Sequence, residues 1–481
     1  MSSSTPSTQL HGGQRSSPHR ILFISTEQGT PMSDNSSVLT QTHSTVEERD
    51  KTFRRVMFRI LPFATLIYIV AWLDRSNVSF AKLTMMDELS WSDAVYGAGA
   101  GIFFIGYFFF EVPSNLLLAR IGAPKTLMRI GLGWGAVTLL MAFVTEPWHF
   151  YVLRFLQGGF EAGLHPGLIL YVTFWLPAHR RAKAIAVLMS ASPIAQLIGG
   201  PLAGYIMSST HGALNASGWQ WLFFIEGVPA IMLGALTLLF MTDRPGNAKW
   251  LNASEKEHIR YELAIEEHEG AQRQQRFSVA LRDRTFWLLT LTLFCILWGN
   301  NAISFFGPSL VKATTDFDVT TIGWIMSGVF ALGWFGMLFN GWLADRYGHA
   351  HRCVAVAVTI GATGLALAAV ALQLGSATGV FIALMMSAAG TMGSIPVFWS
   401  LPPRFISGMA LAGGIALINS IANLAGYFAP QLLGSLKTAT GTYTTGLYII
   451  AAVEVIAAVT VVFFIKRRAV SAAVVSSASA S

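Results

Sequence analysis

Charged residues are scarce in this chain, at 12% of its 481 residues against about a quarter in an average soluble protein. Apolar residues make up 53% of it. This balance excludes an ordinary soluble domain and indicates a protein that crosses a membrane many times. Cysteine is nearly absent as well. Cys295 and Cys353 fall in predicted helices without a partner spacing, so they say nothing about the redox compartment, and we expect no metal site.

Motifs for catalysis are also missing. The sequence contains no nucleophile elbow, no metal-ligand cluster and no phosphate-binding loop. The glycine-dense stretches that begin at Gly97 and Gly131 lie inside apolar runs, where small residues permit close helix approach. We therefore expect neither an enzyme nor a resident cofactor.

Apolar runs of about 20 residues, long enough to cross a bilayer as a helix, recur along the chain. They lie at 57–82, 95–118, 126–144, 149–176, 183–207, 219–241, 285–311, 322–344, 353–373, 376–399, 408–434 and 442–465. The pattern predicts an all-α membrane protein with twelve transmembrane helices.

The basic residues are distributed unevenly about these spans. If the N-terminus is cytoplasmic, 27 of the 32 Lys and Arg residues fall in cytoplasmic segments, and the outer loops hold only Lys82, Lys312 and Lys437. The bias predicts that both termini are cytoplasmic. It also attributes the basic pI near 9.5 to topology rather than to nucleic-acid binding.

Three segments lack apolar runs. We expect residues 1–50 to form a disordered cytoplasmic extension, with Met32 as an alternative start, and residues 469–481 to form a disordered tail. A charged linker, 242–284, separates two six-helix halves, 51–241 and 285–468. Within the linker, Ser254 and Glu257 match a capping box ahead of an apolar stripe of Ile259 and Leu263, which predicts a surface helix.

Ionisable residues within the spans are the strongest functional signal. Asp74 and Arg75 adjoin in the first span, where a charge costs about 2.5 to 3.5 kcal/mol and therefore predicts a polar cavity. Tyr68, Trp72 and Arg75 share one stripe of the helix, while Asp74 points about 100° away. We therefore predict that Arg75 faces the cavity beside an aromatic wall that includes Trp72.

The fourth span carries a second charged group. Arg154 and Glu161 are seven residues apart, which is about two helical turns, so they share a face. His165 continues that stripe, next to a bend that we predict at Pro166, and we assign it a structural role.

Other polar residues lie at similar depth. Asn300 and Asn301 precede a Gly-Pro pair in the seventh span, and interrupted helices at this depth predict substrate contacts. We assign structural roles to Glu111 and Glu226, whereas Glu454 has no assigned role.

The intramembrane charges predict a linkage between proton and anion binding. When Asp74 and Glu161 are ionised, they balance Arg75 and Arg154, whereas protonation of both acids leaves a net charge of +2 that can bind an organic anion. A transporter in which proton binding promotes anion binding in this way carries the two together, which is symport. The alternative is that Asp74–Arg75 and Arg154–Glu161 are static ion pairs that hold helices together.

Two loops occupy matching places in the predicted halves. The segment 115–122 lies between the second and third spans, and Gly341-Trp-Leu-Ala-Asp345-Arg346-Tyr-Gly348 lies between the eighth and ninth. The second loop resembles the signature of the major facilitator superfamily. The resemblance implies a fold of two pseudo-symmetric six-helix halves, with Gly341, Asp345, Arg346 and Gly348 as a gating loop.

Further segments are similar to those of the anion:cation symporter family within that superfamily. They lie at 73–81, 107–115, 154–163, 219–229 and 413–426. This resemblance implies that Asp74 and Glu161 take part in proton coupling and that Arg75 and Arg154 engage the substrate or gate access to it. It also implies substrate contacts from Tyr107, Gln196, Trp399, Ser400, Asn419 and Asn423.

We therefore expect proton-coupled symport of a small organic carboxylate by alternating access, the substrate being a tartrate-like dicarboxylate, an aromatic acid or a sugar acid. A drug:proton antiporter and a membrane receptor that binds a metabolite without moving it are the alternatives. The expected partners are the organic anion and the lipid bilayer, with no nucleic acid. We expect a monomer in a bacterial inner membrane, or alternatively in a fungal plasma membrane.

Overall fold

The computed structural model describes residues 46–271, 281–405 and 409–465, and the long elements in these ranges are all helices. The helices of the first half and the linker are α1 (Val46–Glu88), α2 (Asp93–Ile121), α3 (Ala123–Met141), α4 (Pro147–Glu161), α5 (Leu164–Thr173), α6 (Ala178–Met189), α7 (Ala191–Thr210), α8 (Gly218–Phe240) and α9 (Ala253–Ala271). Those of the second half are α10 (Arg284–Lys312), α11 (Val319–Tyr347), α12 (Ala350–Gln373), α13 (Ala377–Phe398), α14 (Met409–Asn423), α15 (Ala425–Thr440) and α16 (Thr444–Val459), which continues as a π-helical turn, Thr460–Ile465.

The predicted extension and tail fall largely outside this description. Residues 1–45, which include Met32, and residues 469–481 lie outside the described residues. α1 begins at Val46, so the last five residues of the predicted extension are helical.

Nine helices in the described ranges are long and apolar enough to cross a membrane. One of them joins α6 and α7 across a slight bend, from Ala178 to Thr210. The remaining predicted spans correspond to α3, which has 19 residues, and to two divided helices, α4 with α5 and α14 with α15. The described helices thus account for all twelve predicted spans.

The division of the fourth span lies at Ala162 and Gly163. Gly163 has a φ of +87°, a left-handed conformation that favours glycine, and a Cβ there would lie 2.5 Å from the Ser114 hydroxyl. The predicted bend at Pro166 is therefore misplaced by a few residues. Pro166 lies in the first turn of α5, where proline breaks no helical hydrogen bond.

Contacts between the halves are made chiefly by α2 against α15 and by α7 against α11. Glycines bring these backbones together: a Cβ on Gly97 would lie 2.4 Å from the carbonyl oxygen of Pro430. Gly131 packs in the same way within the first half, because its Cβ would lie 2.6 Å from the Cα of Gly234 on α8. Both glycine stretches therefore serve close helix packing, as predicted.

The linker contains the predicted surface helix, α9, but its cap is two residues earlier than predicted. The Asn252 side chain accepts a 2.8 Å hydrogen bond from the Glu255 backbone N–H, and the Glu255 carboxylate accepts one of 2.9 Å from the Asn252 backbone N–H. This reciprocal pair is a capping box. Ile259 is fully buried and Leu263 packs beside it, so the apolar stripe is confirmed.

Candidate substrate cavity

A cavity of about 320 Å³ lies between the two halves, near the middle of the spans. This volume is within the range of small-molecule sites, about 300 to 1,000 Å³. The first half contributes α1, α2, α4, α5 and α7 to its wall, and the second half contributes mainly α10, α13 and α14.

Most residues that the sequence predicts as substrate contacts line this cavity. They are Trp72, Arg75, Tyr107, Gln196, Asn300, Asn301, Trp399, Asn419 and Asn423, together with Glu161, Tyr68 and His165. Three lining serines were missed by the sequence reasoning: Ser76, Ser192 and Ser304. Each is one helical turn from a predicted residue, so helical spacing from Trp72, Gln196 and Asn300 would have found them.

Arg75 and Glu161 form an ion pair at the cavity wall, in which the guanidinium Nη2 donates a hydrogen bond to the carboxylate Oε1. The Arg75 side chain is 19% exposed and that of Glu161 is 4% exposed. The guanidinium carbon lies 5.0 Å from the ring centre of Trp72, 5.1 Å from Phe103 and 5.5 Å from Tyr107. Three aromatic rings therefore hold the cation in place while one side of it faces the cavity.

Asp74 lies behind this wall and is only 2% exposed. Its Oδ2 accepts a 2.7 Å hydrogen bond from the Trp134 indole and one of 2.5 Å from the Gln157 amide. The Gln157 carbonyl in turn accepts a 2.6 Å hydrogen bond from Arg154. The Gln157 amide thus connects the second acid to the second base.

The pairing differs from the predicted one. Neither Asp74–Arg75 nor Arg154–Glu161 is a direct ion pair among the described residues; Arg75 pairs with Glu161, and Asp74 reaches Arg154 through Gln157. Neighbouring residues on α1 point about 100° apart, so Asp74 and Arg75 meet different helices.

Three of the residues predicted for proton coupling or substrate binding lie outside the cavity lining. Arg154 is 1% exposed and donates to Gln157 and, at 3.3 Å, to the carbonyl oxygen of Gly99. The Phe103 ring contacts both guanidiniums, with its centre 4.7 Å from the Arg154 guanidinium carbon and 5.1 Å from that of Arg75. Direct substrate contact by Arg154 is therefore corrected to a position behind the wall.

Asp74 is likewise outside the lining, and Ser400 is the third such residue. The Ser400 hydroxyl donates a 2.7 Å hydrogen bond to the carbonyl oxygen of Val397. This bond closes the turn after α13, where the neighbouring Trp399 reaches the cavity instead.

The predicted gating loop lies at the end of α11, away from the cavity. Asp345 and Arg346 are exposed, and neither forms an ion pair with a described residue. Gly348 ends the helix with a φ of +66°, and its backbone N–H donates to the carbonyl of Ala344. Gly341 has open space around its Cα.

Outside the cavity, the structure differs most from the sequence prediction in the position of Lys82. The charge distribution places it in an outer loop, but α1 continues to Glu88, and Lys82 is 6% exposed. Its ammonium lies 2.5 Å from the Asp93 carboxylate and 3.2 Å from the Tyr443 hydroxyl, and it faces the rings of Tyr96 and Phe306.

The contacts around Lys82 connect the two halves. The Tyr443 hydroxyl donates to Asp93 at 2.8 Å, and the Tyr96 hydroxyl donates to the carbonyl of Phe305 at 2.8 Å. On the opposite flank, the hydroxyls of Ser208 and Thr320 lie 2.9 Å apart. We call this contact zone, where α1 and α7 end, the outer contact.

Two of the three remaining buried carboxyls have a hydrogen-bond partner, whereas both oxygens of the third, Glu226, have none among the described residues. Glu111 accepts a 2.6 Å hydrogen bond from Ser420 across the halves, and Glu454 accepts one of 2.7 Å from Thr391. Glu226 is buried on α8. None of these three acids lines the cavity among the described residues.

Comparisons with known proteins agree with this architecture. Residues 64–430 match the family model described as Major Facilitator Superfamily. The chain is 40% identical over 445 residues to an Agrobacterium vitis protein named "Putative tartrate transporter", covering 92% of this chain and 94% of the relative. It is 39% identical to an Acinetobacter baumannii protein named "Quinolone resistance transporter", covering 84% of this chain and 93% of that relative.

The fold is also found among solved structures. The crystal structure of a D-xylose-proton symporter superposes with a TM-score of 0.68 at 17% sequence identity, covering 85% of this chain and 97% of that one. The predicted fold of twelve transmembrane helices in two six-helix halves is thereby confirmed. This chain is a multi-pass membrane protein and a secondary transporter, and it belongs to the Major Facilitator Superfamily.

Proposed function

We propose that this transporter couples the uptake of a small organic carboxylate to the entry of protons. The observation that carries the proposal is the Arg75 guanidinium, which faces the cavity and is held there by one carboxylate, Glu161. A guanidinium presents paired N–H donors that match a carboxylate. The substrate carboxylate and Glu161 therefore compete for the same cation.

This competition links the proton to the substrate. An ionised Glu161 occupies Arg75, whereas a protonated Glu161 carries no charge and releases it to the incoming anion. Substrate affinity is then present below the pH at which Glu161 protonates and is lost as the pH rises through it. Because Glu161 and Arg75 come from α4 and α1, the exchange takes place within the first half.

Asp74 is the second proposed proton site. Its Oδ2 is occupied by two hydrogen bonds, but its Oδ1 has no hydrogen-bond partner among the described residues. A proton on Oδ1 would remove the charge that Arg154 balances through Gln157. Protonation there would act on the substrate indirectly, since Asp74 does not line the cavity.

Alternating access supplies the transport step. The outer contact lies about 10 Å beyond Arg75 along α1, because seven residues separate Arg75 from Lys82. We propose that it closes the cavity on the outer side and opens when the halves rock. In this arrangement the protein acts as a monomer in a bacterial inner membrane, with both termini in the cytoplasm.

Drug export is the second candidate, and the relative named for quinolone resistance supports it. The cation and the acid at the cavity wall favour an anion in either direction of transport. Uptake and export are separated by the direction of the proton gradient that drives accumulation.

The test uses the purified protein in proteoliposomes with a panel of labelled carboxylates and an imposed pH gradient. Wild-type protein is expected to accumulate the substrate in the direction of proton flow. The side chain introduced in Glu161→Gln is neutral at all pH values, so this variant should bind the substrate with a weaker pH dependence than wild type and exchange it at equilibrium, but lose gradient-driven accumulation.

Glu454→Gln is the matched control, since Glu454 is fully buried and lies outside the cavity lining. It should keep gradient-driven accumulation. Accumulation by Glu161→Gln at the wild-type level would overturn coupling through this residue, and accumulation against the proton flow would favour the export function.

A further inference from the structure

The two walls of the cavity differ in the charge they present. Arg75, Glu161 and His165 all come from the first half. Among the described lining residues of the second half, the polar groups are neutral amides and hydroxyls: Asn300, Asn301, Ser304, Asn419 and Asn423. Arg75 is therefore the only guanidinium in the described cavity lining, and it lies on the wall formed by the first half.

No second Lys or Arg lines the cavity in the part of the chain that the structure describes. Arg154 is 1% exposed, lies 4.7 Å from the centre of the Phe103 ring and does not line the cavity. His165 lines the same wall as Arg75, stacked on Tyr68 at 5.3 Å, and a second positive charge beside the guanidinium is unfavourable.

The amide wall suits neutral hydrogen-bonding groups. Asn419 and Asn423 are one turn apart on α14, so both side chains point the same way, towards the cavity. A side-chain amide offers both a donor and an acceptor, which matches a hydroxyl group. A carboxylate buried against these amides would lack a compensating charge, and an unpaired buried charge is strongly unfavourable.

We propose that the site selects hydroxylated monocarboxylates and discriminates against dicarboxylates. This rests on the proposed function, and it narrows the substrate class. The single carboxylate binds Arg75, the hydroxyl end binds the Asn419 and Asn423 amides, and the aromatic side chains between them, such as Trp72 and Tyr107, contact the middle of the molecule.

The experiment compares matched ligands on the wild-type protein in proteoliposomes. The first set shares a ring and one carboxylate and differs at the opposite end: 4-hydroxybenzoate, benzoate and terephthalate. The second set is gluconate with glucarate, its dicarboxylate counterpart. Each unlabelled ligand is tested for inhibition of the uptake of a labelled carboxylate. In at least one set, the concentration of the hydroxylated monocarboxylate that inhibits this uptake should be at least tenfold lower than that of the dicarboxylate.

Two variants then test the amide wall. Asn419→Leu should abolish the preference for 4-hydroxybenzoate over benzoate, measured as the ratio of the concentrations at which the two ligands compete in this variant. Asn419→Lys adds a cation to this wall and should improve competition by terephthalate and glucarate at least tenfold relative to their monocarboxylate partners. Asn423→Leu provides the same hydroxyl test if the first variant does not fold.

The outcomes separate this inference from the proposed function. If glucarate, terephthalate or tartrate is carried with the proton gradient and both monocarboxylates are excluded, the selectivity inference is overturned while carboxylate symport stands. If no carboxylate in the panel is transported or competes, both are overturned. Selection of the monocarboxylates with unchanged ratios in Asn419→Leu and Asn423→Leu would overturn the assignment to the amide wall.

Discussion

Two cations on α1 lie in similar surroundings but have different neighbours. Arg75 and Lys82 are seven residues apart, so they lie on nearly the same stripe of the helix. Each pairs with one carboxylate, Glu161 or Asp93, and each is surrounded by aromatic rings. The rings near Arg75 all belong to the first half, whereas Tyr443, one of the rings near Lys82, belongs to the second.

The difference determines what each ion pair can do. The Arg75 side chain is 19% exposed to the cavity, so its carboxylate partner can be exchanged for a substrate while the helices stay in place. The Lys82 side chain is 5% exposed, and its contacts with Tyr443 and Phe306 of the second half are lost when the halves separate. We therefore assign ligand exchange to the first pair and closure of the outer contact to the second.

The largest expected effect comes from Arg75→Lys. An ammonium keeps the charge but loses the paired donors, so we expect uptake and substrate affinity to fall roughly a hundredfold, equivalent to about 3 kcal/mol. Uptake and equilibrium binding in proteoliposomes measure both quantities. Arg154→Lys is the matched control, since Arg154 lies outside the cavity lining.

In Arg154→Lys, substrate affinity should stay within threefold of wild type, while the melting temperature falls because the hydrogen bond to Gly99 is lost. Equal losses of affinity in the two variants would mean that Arg154 contributes to substrate binding as much as Arg75 does.

An intermediate effect is expected from Lys82→Met, which removes the cation of the outer contact without creating a large cavity. Lys82 donates a hydrogen bond to Tyr443 of the second half, and a hydrogen bond from a charged donor contributes about 1.5 to 3 kcal/mol, so the halves should separate more often on this side. The measurement is disulfide formation between Ser208→Cys and Thr320→Cys, whose native hydroxyls lie 2.9 Å apart, with Cys295 and Cys353 replaced by alanine.

Crosslinking and uptake should each slow at least tenfold in Lys82→Met. Lys312→Met is the control, because Lys312 is exposed and donates only to the nearby Phe317 carbonyl among described residues. Unchanged crosslinking in Lys82→Met would show that Lys82 does not hold the halves together.

The smallest effect is expected from Tyr443→Phe. This change removes the hydroxyl that contacts Lys82 and Asp93 but leaves their mutual ion pair and the ring in place. Loss of about 1 kcal/mol should slow the same crosslinking roughly fivefold. Tyr448→Phe on α16 removes a more exposed hydroxyl and should have no effect. An effect larger than that of Lys82→Met would place the stabilisation in the hydroxyl rather than in the ion pair.

The number and position of the spans could be predicted because the bilayer imposes their length and composition. Twelve apolar runs correspond to the described helices. The location of the break in the fourth span could not be predicted with the same accuracy. Both Gly163 and Pro166 are candidates by composition, and the contact of Gly163 with Ser114 on α2 selects the former.

The residues that line the cavity, like the spans, could be predicted in large part from the sequence. Trp72, Arg75 and Glu161 line the cavity, in agreement with the helical spacing of the aromatic and charged residues in the first and fourth spans. Lys82 was misassigned because a lysine at the end of an apolar run normally reaches water. Its burial depends on Asp93, whose helix comes after a turn, and on Tyr443 at the far end of the chain.

The sequence by itself determined the twelve spans, the presence of two acids and two bases in the first and fourth spans, and the divergent directions of Asp74 and Arg75. These follow from hydropathy and helical geometry, which are local properties. Only the tertiary structure decided that Arg75 pairs with Glu161, that Gln157 bridges Asp74 and Arg154, and that the second half supplies a neutral wall. The partners of a buried charge are set by how α1, α3 and α4 pack, and helix packing is not encoded in any one of these segments.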